Sequence, residues 1–413
     1  MSTRIRLLAV ASAVSILAAA CAPAPTPTPV PTPTPPAVAT PTPAEPALLE
    51  GRLTVWHAYG SAGGVAEFRA FSRLLDNLRA ENPGLQIEAF DVPFADIFTK
   101  FMTESAAGGG PDMFIAPNDP FGDMVRGGFL VDLTGKIDDV LAETADVAIG
   151  GSTVDGKIWM VPQSLKAVAM YYDSANVPDP PSTTDELLAF VEGGGKVGMI
   201  DGPYFGWGFY NGFGGTVLDE TGRCVATANT GVADALQFVE DLRDAGALVD
   251  PDYGKVNDAF LTGETDIIFN GNWVLGDYRA ARPNVAVAPV PAGPAGVSAT
   301  MTGVDGWYIN VASPNQELAI AVAKWLVSRT SQGISADIAG HVPANENVAL
   351  VDPLVISFAE AVYQGDPRPQ LEEFGAYWGA FGNAWRQVLD ADVDPATAVA
   401  EACAMMNEAN QFE

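Results

Sequence analysis

The chain has 413 residues, with 51 acidic against 21 basic side chains and a formal net charge of −30. So acidic a surface argues against nucleic acid and anionic membrane surfaces as partners. Two histidines and three cysteines leave little material for metal or nucleophilic chemistry, and the stretch of about 365 residues after position 47 exceeds one typical core, so two domains are expected.

Residues 1–20 combine a short basic head (Arg4, Arg6), an apolar run from Leu7 and the small residues Ala18-Ala19-Ala20 before Cys21. This is the pattern of a secretory signal. A cysteine directly after the small residues resembles the bacterial lipobox, with Leu17 one place further back than usual and Ala18 in its stead. The expectation is lipidation at Cys21 and anchoring at the outer face of the cytoplasmic membrane; a plain cleaved signal is the alternative. The apolar run falls short of the ~20 residues that a membrane span needs. Residues 21–47 are rich in Pro and Thr (Thr26-Pro27-Thr28-Pro29) and read as a semi-extended tether.

In the globular part, residues 53–56 form a strand. Residues 66–78 form a helix, with Phe68, Phe71, Leu74, Leu75 and Leu78 at helical spacing and Asn82-Pro83-Gly84 as its stop. Leu85, Ile87 and Ala89 alternate as a second strand, 94–105 is a second helix, and Met113-Phe114-Ile115 is a buried third strand. This β-α-β-α-β order predicts a parallel sheet with helices on both faces. Ligands of such sheets bind beyond the carboxyl ends of the strands, which points to the loops after Trp56 and Ala116. Val161 and 167–172 follow as strands, and Pro180-Pro181-Ser182 caps a helix through Val191. Then come a helix at 232–245, a short helical piece at 259–262, strands at 266–269, 285–289 and 307–311, and helices at 316–328, 355–363, 377–389 and 396–407.

His57 and His341 stand far apart with no cysteine near either, and neither has metal-ligand spacing. No nucleophile elbow or phosphate loop is present. No catalytic residue, metal or cofactor is therefore expected. Asp390, Asp392 and Asp394 alternate, but Pro395 and the missing Gly and Glu make them an acidic turn rather than a calcium loop. With Cys21 assigned to lipid, Cys224 and Cys403 remain; an exported chain is compatible with their pairing, and nothing in the sequence fixes their distance. What stands out is aromatic residues in loops: Tyr204, Phe205 and Trp207 after Asp201-Gly202-Pro203, Trp273 in Asn270-Gly271-Asn272-Trp273, and Tyr377-Trp378 at a helix start. Flat rings stack on the C–H faces of sugars while nearby polar groups bond the hydroxyls. The competing reading is packing between domains.

Six segments in order resemble the maltose/maltodextrin-binding family of solute-binding proteins of ABC importers. They are Gly110-Pro111-Asp112 through Asp119-Pro120-Phe121-Gly122; Val161-Pro162 with Tyr171-Tyr172-Asp173 and Val177-Pro178-Asp179-Pro180-Pro181; Gly202-Pro203-Tyr204-Phe205-Gly206-Trp207; residues 260–273; Ala312-Ser313-Pro314-Asn315; and Tyr377-Trp378. The resemblance implies a two-lobed periplasmic-binding-protein fold of α/β class. Each lobe would be a mainly parallel sheet with helices on both faces, and three crossings would join the lobes near 163–168, 301–306 and 340–346. The expected lobes are 48–163 plus 306–341 and 168–301 plus 346–413. It also implies a non-enzymatic monomer that closes on an oligosaccharide and hands it to ABC permease subunits.

By the same resemblance Tyr204, Phe205, Trp273 and Trp378 stand at sugar-stacking positions and Asp119 at a hydroxyl-binding carboxylate. Tyr59, Ser61, Asn118, Lys166 and Asp305 complete the expected ligand set. Elsewhere the chain departs from the family. Ala116 replaces a Trp, Pro120 an Arg, and Gly60-Ser61 an Asp-Lys pair. Lys166 and Gly202 each replace a Glu, Phe98 and Thr99 replace acids, and Gly379 and Gly382 replace a Tyr and an Arg. The stacking shelf is kept while its polar partners change, which makes maltose one candidate among short glycans. Lys166 has two readings, a donor to the ligand or a structural partner of Asp305. The first extends to an acidic sugar or sugar phosphate as ligand. A surface glycan hydrolase and a signalling receptor are the remaining alternatives.

Overall fold

The computed structural model describes residues 48–60, 64–119 and 121–412; the signal, Cys21, the tether, Ser61 and Pro120 lie outside the described residues. Strand β1 (Gly51–His57), helix α1 (Val65–Glu81), strand β2 (Leu85–Asp91), helix α2 (Phe94–Ala106) and strand β3 (Met113–Pro117) build the first half of one sheet. β1 pairs in parallel with both β2 and β3. Helix α1 buries Glu67, Phe71, Leu74 and Leu78 along one face, as positions three and four apart must. Phe68, expected on that face, is 46 % exposed.

Strands β4 (Val161–Lys166) and β5 (Val168–Asp173) are separated by Ala167 alone, yet they belong to different sheets. After β5 come α3 (Thr184–Glu192), β6 (Val197–Ile200), α4 (Gly231–Asp244), β7 (Leu248–Asp250), α5 (Tyr253–Thr262), β8 (Ile267–Gly271) and β9 (Val285–Ala288). Strand β10 (Met301–Ile309) returns to the first sheet, followed by α6 (Gln316–Leu326), α7 (Arg329–Ala339) and β11 (Val342–Pro343). Then α8 (Pro353–Tyr363), β12 (Asp366–Pro367), α9 (Gly375–Ala391) and α10 (Pro395–Ala409) end the chain. The first sheet runs β11-β4-β10-β3-β1-β2, with β12 beside β10, and the second runs β9-β5-β8-β6-β7. The chain thus passes between sheets after β4 and before β10, and after β11 it runs into α8, which packs on β9 and β5; β11, β4 and β10 are neighbours.

The pairing is more mixed than the mainly parallel sheets expected. β1 runs parallel to β2 and β3, and β6 parallel to β7 and β8, whereas β10 runs antiparallel to β3 and β4, and β5 antiparallel to β8 and β9. A strand that re-enters a sheet from the other lobe arrives from the opposite direction. Strand β10 starts at Met301, not Trp307, because Gly303, Asp305 and Gly306 hide it from any apolar pattern, although all nine residues are buried. Helix α7 was invisible because its buried residues are Ser331, Gln332, Ser335, Ala336 and Ala339. Helix α5 reaches back to Tyr253 under an Asp252 cap, and α3 is capped by Thr183, whose side chain accepts from Glu186 N, rather than by Ser182.

The second lobe's core joins Met170, Met199, Phe209 and Phe269 to Tyr377, Phe381, Trp385 and Met406, so α9 and α10 complete that lobe. Cys224 and Cys403 form a disulfide, with Cα atoms 5.3 Å apart, that ties a loop of this lobe to α10. Among the described residues no helix is long and apolar enough to cross a membrane.

Candidate ligand-binding site

The strand ends supply the site. Tyr59 follows β1, Asp119 follows β3, Lys166 ends β4, Tyr204 and Phe205 follow β6, Trp273 follows β8, and Asp305 lies within β10. Trp378 sits in the first turn of α9. These eight residues line one cavity of about 920 Å³. The structure thus brings together eight of the ten expected ligand residues. Ser61 lies outside the described residues.

Asn118 does not line the cavity and is 2 % exposed. Its amide nitrogen donates to Gly151 O at 3.0 Å, and its oxygen accepts from Val304 N at 3.1 Å and Arg368 Nη1 at 3.3 Å. It holds the wall in place rather than facing a ligand.

One wall is aromatic. The Tyr204 ring lies 5.4 Å from Phe205, edge-on, and 6.1 Å from Trp273. Trp273 Nε1 donates to Tyr253 Oη at 2.9 Å, which fixes the indole. Trp378 packs at 5.2 Å against Phe374 and Tyr377, whose hydroxyl donates to Pro203 O at 2.9 Å and braces the Tyr204 loop. Burial pushes the Tyr204 phenol up to about 12, so it stays a neutral hydrogen-bonding group at any physiological pH. Trp207, Trp307 and Tyr377 are core residues: Trp207 Nε1 donates to Asp366 and Trp307 Nε1 to Gln163.

Two ionic assemblies flank the rings. In the first, Arg368 Nη1 lies 2.6 Å from Asp119 Oδ1, with the guanidinium 5.5 Å from the Tyr204 centroid and 5.8 Å from that of Trp378. The cation beside Asp119 thus comes from a remote segment. In the second, Lys166 Nζ is 2.7 Å from Asp305 Oδ2 and 3.3 Å from Glu67 Oε1, and 5.6 Å from the Trp273 centroid. Glu67 Oε1 is also 2.5 Å from His341 Nε2. Burial opposes charge on Lys166, but Asp305 and Glu67 outweigh it and hold the ammonium well above its ordinary range. Burial raises the Asp305 carboxyl against the pull of Lys166. Asp305 Oδ1 is buried without a hydrogen-bond partner, and a buried acceptor left unpaired is costly. At the rim, Arg126 Nε lies 3.1 Å from Glu372 Oε1, so the ion pair spans the two sides of the cleft.

The profile of the bacterial extracellular solute-binding proteins matches residues 73–362. The chain belongs to that family. The maltotriose-binding protein of Pyrococcus abyssi (strain GE5 / Orsay) is 26 % identical over 82 % of this chain and 78 % of its own length. The galactooligosaccharide-binding protein of Bacillus subtilis (strain 168) is 23 % identical over 85 % of this chain and 87 % of its own. The Thermus thermophilus maltotriose-binding protein, solved with maltotriose, superposes with a TM-score of 0.79 at 28 % identity, covering 87 % of this chain and all of that one.

In this solute-binding protein, sequence reasoning missed Glu67, Tyr253, Arg368 and the contact of His341. Glu67 left a signal: it precedes Phe71, Leu74 and Leu78 on the apolar face of α1, where an unpaired carboxylate has no place. Arg368 left none, since Pro367 and Pro369 flank it outside any helix.

Proposed function

We propose that this solute-binding protein captures a neutral oligosaccharide and delivers it to an ABC permease. The observation that carries the reading is the shelf of Tyr204, Phe205, Trp273 and Trp378 in one cavity with paired ions, groups of the kind that bond hydroxyls. The volume is at the upper end for small-ligand pockets and suits several sugar rings. The relatives named for maltotriose and galactooligosaccharides support the same ligand class. An acidic sugar loses support. Glu67, Asp119, Asp123, Asp305 and Glu372 line the cavity against Arg126, Lys166 and Arg368, and each cation is already paired with one or more of those acids.

The lobes run over 48–163 with 306–341 and over 168–301 with 346–413 in this reading. Ligand that touches both lobes favours the closed form by its differential affinity for it. Cys21 carries the lipid, and the protein works as a monomer beside its permease. Calorimetry with linear glucans and galactans of two to five units tests the ligand. One of them binds at one-to-one stoichiometry and is recovered unchanged after hours; failure of every one removes the reading. Fatty-acid labelling in a bacterial host, lost in Cys21→Ser, tests the anchor.

A further inference from the structure

Helix α2 carries two apolar stripes. Ile97 and Phe101 are buried in the core of the first lobe. Phe94, Phe98 and Met102, also four residues apart and so on one face, line the ligand cavity, with Phe98 and Met102 seated against the edge of that core. A helix on a sheet needs only one apolar stripe. The second leaves Phe94 41 % exposed, with Phe98 edge-on to it at 5.8 Å and Met102 half-buried. Ala95 and Ala116 continue the apolar wall. From the other lobe, Leu371, 39 % exposed, and Trp378 line the same cavity. Gly375, Gly379 and Gly382 fall on one side of α9 around Trp378, and a Cβ at any of them meets nothing within 4 Å. Glycine is unfavourable inside a helix, and of these three Gly375 lines the cavity together with Trp378.

We propose that Phe94, Phe98 and Met102, with Leu371 and Trp378, form a second, apolar subsite that takes an aryl, alkyl or acyl substituent at one end of the glycan. The proposal rests on the oligosaccharide reading and adds to it the chemistry of the ligand's end. Sugar hydroxyls facing this wall would lose water without gaining partners, whereas an apolar group gains by leaving water there. Continuity with the stacking shelf in a single cavity makes a substituent of the same ligand the occupant.

The test is calorimetry on the mature chain with two parents, maltotriose and galactotriose. Each is compared with its 4-nitrophenyl glycoside, apolar at the reducing end, and its benzylidene acetal, apolar at the other end. One derivative is expected to bind about tenfold tighter than its parent, and Phe98→Ser is expected to bring that ratio close to one. Phe94→Ser, at a more exposed position, is the second variant should the first fold poorly. Equal affinities of parent and derivatives overturn the subsite. So does a Phe98→Ser loss that falls equally on parent and derivative, since that marks a surface that stacks every sugar or merely closes the lobes. If a parent binds, the oligosaccharide reading stands whatever the ratio; if no parent or derivative binds, both readings fall.

Discussion

The aromatic wall and the ionic assembly around Lys166 stand on the same cavity but are made differently. Tyr204, Phe205 and Trp273 come from two short loops, each directly after a strand of the second sheet, and reach the cleft by local geometry alone. Glu67, Lys166, Asp305 and His341 come from a helix and all three crossings, more than 270 residues apart at the extremes, with Glu67 and His341 separated by 274. The rings make a flat apolar surface on the cavity. The ions make a buried joint where the three crossings meet. Loss of a ring should therefore be felt by the ligand, and loss of an ion by the fold.

Lys166→Met breaks that division most sharply if it is wrong. It leaves Glu67 and Asp305 buried, at 1 % and 2 % side-chain exposure, without their shared cation. Removing one partner of a buried pair costs about 3–5 kcal/mol, and urea unfolding of the variant is expected to show a loss of that size. Arg368→Met should cost less, since Asp119 keeps 25 % exposure. A fully stable Lys166→Met protein with lost binding would make Lys166 a ligand residue after all.

Removing the disulfide tests the second lobe away from the cleft. Cys224 and Cys403 close a loop of 179 residues, and a native bridge of this kind contributes about 2–4 kcal/mol. The double Cys→Ala variant should unfold at correspondingly lower urea while its ligand affinity holds. Trp273→Ala is the converse: about 1–2 kcal/mol of affinity, roughly tenfold, goes with the ring, while the unfolding midpoint moves little because the indole is only partly buried.

The same contrast explains what the sequence disclosed. Rings beside Gly, Pro and Asn announce themselves within six residues, so Tyr204, Phe205 and Trp273 were legible, although the strand before Tyr204 was not. The β-α-β order at 53–115 was legible because apolar periodicity is local. Arg368 was not: its role depends on β12 lying beside β10, a pairing of two residues with no pattern of its own. Nor was Asn118, whose polarity suggests a ligand contact until the fold spends both ends of its amide on Gly151 and Val304. Helix α7, built on buried serines, shows the same limit for secondary structure.

Asp201 offers the smallest and finest test, because it joins the two kinds of feature: an ion beneath the aromatic wall. It follows β6 at the start of the Tyr204 loop, with Oδ2 3.3 Å from Arg386 Nη1 and Oδ1 buried without a partner. Burial lifts its carboxyl to about 6, against the opposing pull of Arg386. A carboxyl raised above its unfolded value of about 3.9 binds a proton on folding. Its stabilising contribution is therefore complete below pH 4 and is lost as the pH climbs through about 6. At pH 7 the folded chain holds a charge that the unfolded chain solvates better. Discounted for solvent screening, the cost is about 1 kcal/mol. Asp201→Asn should thus be slightly more stable than the parent at pH 7, and its stability should vary less between pH 4 and 6. If the variant is instead less stable at pH 7, the ion pair with Arg386 outweighs burial, and the floor beneath the rings is held by charge as the Lys166 joint is.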